Sequence, residues 1–153
     1  MQTCDVHEVG ISSLMYVSRS CLPICGDAAA IREILEVSLS RNKVLRVTGA
    51  LVYTELHFVQ VLEGPPLALD ALMHSIRNDV RHRDVTVVTE QKITTRMFAD
   101  WTMVNLGFSP FLDRQIKPLI SPAATKDSRL SMAEALLVNV QRLSRKQLAA
   151  GRR

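Results

Sequence analysis

The stretch FVQVLEG, Phe58 to Gly64, is a short β-rich run with one polar residue near its centre. Side chains alternate faces along a strand, so Phe58, Gln60 and Leu62 share one face while Val59 and Val61 share the other. Both faces are apolar around a single carboxamide, which predicts a strand covered on both sides. An unpaired buried amide costs about 1–3 kcal/mol. Gln60 therefore requires a partner, and that partner bears on function.

Patterning on either side of this strand sets the rest of the architecture. ISSLMYVS (11–18) reads as a first strand, followed by the loop SCLPICG. Asp27 stands at an N-cap position ahead of a helix that carries Ile31, Leu35 and Ser38 on one face and closes with Asn42 on that same side. VTGALVYT (47–54) is a second strand, joined to FVQVLEG by a connection of hairpin length around Glu55 and Leu56. Pro65 and Pro66 open a second helix, where a missing N–H does no harm. Its stripe is Leu69, Leu72, Met73 and Ile76, with Asp79 expected on the same side. VTVVTEQ (85–91) is a fourth strand, and a fifth is expected between Trp101 and Phe108.

The order βαββαββ predicts an α+β, ferredoxin-like fold: a mixed five-stranded sheet with two helices on one face. Residues 109–126, with three prolines, are expected as a loop with at most a helical turn. A last helix over 127–148 places Ala133, Leu136, Leu137, Val140 and Leu143 on one stripe, which would cover the other sheet face over Val59 and Val61. The division expected is a domain over 1–108 and a C-terminal loop and helical extension over 109–153.

Bulk composition narrows the class. A chain of 153 residues, 47% hydrophobic and 22% charged, suits one globular domain with a terminal appendage. The net charge of +4 is gathered largely in the tail RLSRKQLAAGRR, so nucleic acid is not an expected partner. MQTCDVHEVG lacks the pattern of a signal peptide, and no run approaches the roughly 20 apolar residues that span a bilayer. A cytoplasmic location and no membrane partner are expected. Cys4, Cys21 and Cys25 are spaced as unpaired thiols and complete no metal site.

Tyr16, Asn42, Gln60 and Asp79 are all expected to point between the two helices and the sheet. Each has a plain explanation alone: Tyr16 as a core tyrosine, Asn42 as a helix C-cap, Asp79 as a solvated acid. Together they offer a phenol, two carboxamides and a carboxylate in an apolar slot. That set suits a flat heterocycle with carbonyl and imide edges.

With these residues in order, the chain resembles the BLUF family, blue-light sensor domains that use flavin. LMYVS carries the tyrosine. NKVLRVTGALVY (42–53) resembles the family's helix exit and second strand. FVQVLEG resembles its glutamine strand, DVRH (79–82) the turn after its second helix, and RMFADWTM (96–103) the approach to its last strand. The resemblance spans about residues 11–108. It implies non-covalent flavin, FAD with FMN or riboflavin as alternatives. Tyr16 and Gln60 would be the photochemical pair, and Asn42, Gln60 and Asp79 would bond the ring's polar edge. Arg81 and His82 would lie near the flavin, with Arg41 beside the key asparagine. Trp101 and Met103 would relay the signal, although a strand anchor explains them equally. Arg41 and Ser75 depart from residues common in relatives, which bears on how the flavin is gripped.

The implied mechanism is that blue light draws an electron and a proton from the tyrosine through the glutamine. Their return leaves the glutamine in a changed orientation or tautomer, with the C-terminal helix as two-state output. No effector segment is read after residue 108, so the expectation is a stand-alone, non-enzymatic sensor acting through a protein partner or as a homo-oligomer. Three competitors are a flavin-dependent redox enzyme, a light-independent adaptor and a photoreceptor bonding flavin to cysteine. No Rossmann or Walker glycines support the first, the intact Tyr16 and Gln60 oppose the second, and Cys21 and Cys25 lie outside the pocket motifs.

Overall fold

The computed structural model describes residues 10–21, 28–99 and 102–150. Cys4, Cys25, Asp27 and Trp101 lie outside the described residues. The strands are β1 (Ile11–Ser20), β2 (Thr48–Tyr53), β3 (His57–Gly64), β4 (His82–Ile93) and β5 (Val104–Phe108). They are joined and followed by α1 (Ala28–Leu45), α2 (Pro66–Arg77), a 3₁₀ turn (Pro110–Leu112), α3 (Asp113–Leu119) and α4 (Lys126–Ala150). The sheet order is β4-β1-β3-β2-β5, antiparallel throughout except for the parallel pair β2–β5. This is the mixed, ferredoxin-like α+β sheet that the sequence predicts.

The strand FVQVLEG lies between β1 and β2, with Gln60 opposite Tyr16 on one side and Leu51 on the other. Its alternation divides the molecule into two cores. Phe58 and Leu62 join Leu14 and Tyr16 under Ile31 and Ile34 of α1 and Leu69, Leu72 and Met73 of α2. Val59 and Val61 join Met15 and Val17 under Ile116 of α3 and Ala133, Leu136 and Val140 of α4. A strand buried on both faces reads as a continuous apolar run, which is why the alternation is masked in the sequence.

Strands β1 and β4 run longer than expected, to Ser20 and over His82–Ile93, and three differences concern helices. First, α1 runs on to Leu45, so Asn42 is an interior helical residue and not the cap. The cap is a Schellman motif: Val47 N–H donates to the Asn42 carbonyl and Arg46 N–H to that of Lys43, with Arg46 at φ 57°. Second, α2 stops at Arg77 with Asn78 as C-cap, so Asp79 sits in the following turn and not on the helical stripe. Third, residues 110–119 are helical, not loop, because Leu112, Ile116 and Leu119 recur at helical spacing and are fully buried. His57, buried at the start of β3, hydrogen-bonds Asp113 at 3.2 Å and ties α3 to the sheet.

The connection after β4 matters most for the site. β4 and β5 are opposite edges of the sheet. The described residues between them, 94–99 with 102 and 103, therefore lie at the end where β1 starts, β3 finishes and β2 begins.

Candidate functional site

A narrow cleft opens between α1, α2 and the sheet, and Tyr16, Asn42, Gln60, Asp79, Arg81 and His82 all line it. Tyr16 is positioned by β1, fully buried, and its hydroxyl donates a hydrogen bond to Gln60 Oε1. The two residues face one another across the β1–β3 pair, so strand register alone brings them together. Gln60 Nε2 donates to Met103 Sδ at 3.4 Å. A thioether is a weak acceptor and the amide carries two hydrogens, so Gln60 keeps donor capacity for a better acceptor in the cleft.

Asn42 is buried and its Nδ2 donates to the Thr102 carbonyl at 3.1 Å. The last residues before β5 are thus held by two carboxamides, Asn42 from α1 and Gln60 from β3. Asp79 occupies the turn after α2 with both oxygens bound by Arg81. The Arg81 backbone N–H and Nε reach Oδ1 at 2.9 Å, and Nη2 reaches Oδ2 at 2.7 Å. Hydrogen bonding from Arg81 holds the Asp79 carboxyl below the usual carboxylate range. Burial, and secondarily the Asp79 charge, push the Tyr16 phenol well above its ordinary value. Burial also depresses the His82 imidazole. The lining is therefore a neutral phenol, a neutral imidazole and a paired carboxylate.

Arg41 lines the cleft from the exposed side of α1, and Ser75 lies with Arg41 and Arg81 around an open hollow beside it. Both departures from the family pattern thus fall at the mouth and not at the polar core. Cys21 is exposed and lines no part of the cleft. Met103 stands against Gln60, whereas Trp101 lies outside the described residues.

Sequence reasoning did not find Ser18, whose hydroxyl shares a 2.7 Å hydrogen bond with His82 Nδ1. Ser18 is two residues beyond Tyr16 and so on the same face, a signal that period-two counting carries. His82 also packs its ring edge-on to Tyr16 and against Phe58, with centroids 6.3 and 4.9 Å apart. Ile34 and Val37 complete the α1 wall, and the Thr102 carbonyl had no sequence signal at all, since any residue supplies one.

The profile of BLUF, sensors of blue-light using FAD, matches residues 11–104. The chain belongs to the BLUF family. It is 35% identical over 99 residues to photoactivated adenylate cyclase subunit alpha of Euglena gracilis, covering 65% of this chain and 10% of that protein. Subunit beta of the same organism is 37% identical over 97 residues, 63% of this chain and 11% of its own length. The chain thus spans about a tenth of these curated relatives. Among solved structures, the dark state of the BLUF protein BlrB has a TM-score of 0.64 at 31% identity, covering 85% of this chain and 96% of that one. A bacterial light-regulated adenylyl cyclase has a TM-score of 0.57 at 30% identity, over 72% of this chain and 32% of its own. The BLUF domain here is accordingly a flavin-binding photoreceptor domain. The cleft's chemistry suits that cofactor: apolar side chains stand beside the Gln60 and Asn42 amides and the Asp79 carboxylate. Among the described residues, no group of His, Cys, Asp and Glu could hold a metal, and no helix is long and apolar enough to cross a membrane.

Proposed function

We propose that this chain senses blue light by reversing the hydrogen bonds of Gln60, and that the change leaves the domain through Met103 and β5. The observation that carries the reading is the buried chain Tyr16–Gln60–Met103. Flavin, when bound, supplies blue-light absorption and an electron acceptor. Asn42, Gln60 and Asp79 would hold its polar edge, with Arg81, His82 and Arg41 near the mouth. The family's description favours FAD.

The chain's own residues account for a switch. The raised Tyr16 phenol keeps its proton and donates it in a hydrogen bond to Gln60 Oε1. A carboxamide has one donor end and one acceptor end, so turning it over exchanges its partners without changing net charge. The exchange is not symmetric here. With Gln60 inverted, Oε1 faces a Met103 sulfur that has no hydrogen to donate, and the Met103 contact is lost. Val104 follows Met103 directly and shares a buried cluster with Leu136 and Val140, which favours α4 as the element that feels the change. In a dry site each exchanged bond weighs more than in water.

On this reading residues 1–108 hold the photochemistry and 109–153 the output, in a cytoplasmic, non-enzymatic sensor acting through a protein partner or as a homo-oligomer. The deciding test is the absorption spectrum of purified protein in darkness and after blue light. Flavin bands that shift to the red and relax in the dark are expected, and Gln60→Leu should abolish the shift. Bleaching without a shift would instead indicate redox turnover, and colourless protein after reconstitution would sink the reading. Chromatography of the released cofactor identifies FAD, and dark-versus-lit gel filtration tests self-association.

A further inference from the structure

Glu63 is an ionisable residue with a side chain buried to 2% exposure, and the switch described above makes no use of it. It belongs to FVQVLEG but faces away from the cleft, on the Val59 and Val61 side. Both of its oxygens accept hydrogen bonds. Oε1 accepts from Met97 N–H at 2.8 Å, and Oε2 accepts from Phe98 N–H at 3.0 Å and from the Thr48 hydroxyl at 3.2 Å. Arg96 adds a second tie, donating from Nη1 to the Glu63 carbonyl at 3.0 Å and to Thr48 Oγ1 at 3.1 Å. Residues 96–98 begin the chain that leads to Thr102 and Met103, and these two are held on the cleft face by Asn42 and Gln60. One strand, β3, therefore grips the same crossing segment from both of its faces, with Glu63 at one end and Gln60 at the other.

We propose that Glu63 is a positioning residue for the photochemical switch. Its carboxylate pins the backbone at Met97 and Phe98, so that Met103 stands ready to receive Gln60 when the amide turns back. This rests on the photoreceptor reading given above. A carboxylate suits the role because two neighbouring amides need two acceptors at one point, and a charged acceptor holds them more strongly than a neutral one. A glutamine offers one acceptor and one donor. Glu63→Gln therefore leaves one of the two backbone N–H groups facing an NH₂.

The test is the rate of dark recovery after blue light, together with the size of the red shift. Glu63→Gln is expected to keep the shift and slow recovery about three- to tenfold, the range one hydrogen bond's net contribution gives in a rate. Thr48→Val, which removes only the hydroxyl, should slow it less. Asp113→Ala, which cuts the His57 tie at the other end of β3 and touches neither the cleft nor residues 96–98, should recover like the unmutated chain. A Glu63→Gln protein with the shift intact and recovery unchanged or faster overturns the proposal, as does equal slowing in Asp113→Ala. Should Glu63→Gln fail to fold, unchanged recovery in Thr48→Val overturns it alone. Absence of any shift in the unmutated chain is distinct: it overturns the photoreceptor reading and this proposal with it.

Discussion

His82 shows how one side chain at this site is set by competing influences. Burial lowers its affinity for a proton, the Asp79 charge opposes that, and Arg81 reinforces it, with burial the largest. The unfolded chain titrates this imidazole near its ordinary 6.5, and the folded chain does so at lower pH. Stability contributed by the neutral ring is thus complete above that ordinary value and falls as pH drops through the window below it. The Asp79 contribution runs the same way but lies lower, below the ordinary carboxylate range. Thermal denaturation should show a fall in Tm from about pH 7.5 to about pH 5.5, and His82→Gln should shrink that fall. An equal fall in the variant would show that other groups carry it. The Gln60→Leu spectrum belongs to this scale too, since a leucine offers Tyr16 no acceptor and Met103 no donor.

Two backbone positions carry the elements that frame the cleft. Arg46 ends α1 in the left-handed conformation, which costs an L-residue about 1–2 kcal/mol and a glycine little. Arg46→Gly should therefore stabilise the fold by about 0.5–1 kcal/mol, read as a higher urea midpoint; the gain is reduced by glycine's larger unfolded-state entropy. Gly49 has the opposite character. A Cβ there would lie 2.1 Å from the Val61 carbonyl oxygen, a backbone atom of β3. The neighbour cannot move aside without disturbing the β2–β3 pair that supports Gln60. Gly49→Ala should cost about 3 kcal/mol, visible as a lowered urea midpoint and as a weaker grip on flavin.

Across the whole molecule, the C-terminal extension is structural as well as a candidate output. Leu112, Ile116, Leu119, Ala133, Leu136 and Val140 form the roof over Met15, Val17, Val59 and Val61. Removing residues 127–153 would bare that core, so truncation tests stability before it tests signalling. A milder probe is Leu136→Ala, fully buried and far from the cleft face. It should cost about 2–5 kcal/mol in urea unfolding while leaving the flavin spectrum unchanged. A cost near zero would mean that α4 does not cover the sheet as seen here.

Sequence by itself determined the order of strands and helices along the chain, the cover on both sheet faces and several of the polar cleft residues, because strand and helix periods place side chains by counting. Tyr16 and Gln60 were legible for that reason, as was the coverage of Val59 and Val61 by the last helix. Asp79 was assigned to a helical stripe that stops two residues earlier, because the exit of α2 depends on local capping and not on period. Asn42 was read as a helix end, because the left-handed cap fell to an arginine that advertises no such role. Only the tertiary structure decided the partners across distance: Thr102 for Asn42, Met103 for Gln60, and the Met97 and Phe98 amides for Glu63. Each of those arises where β4 and β5 stand at opposite edges of the sheet, and the chain between them must cross the end of β3. Sequence spacing carries no measure of that crossing; sheet order does.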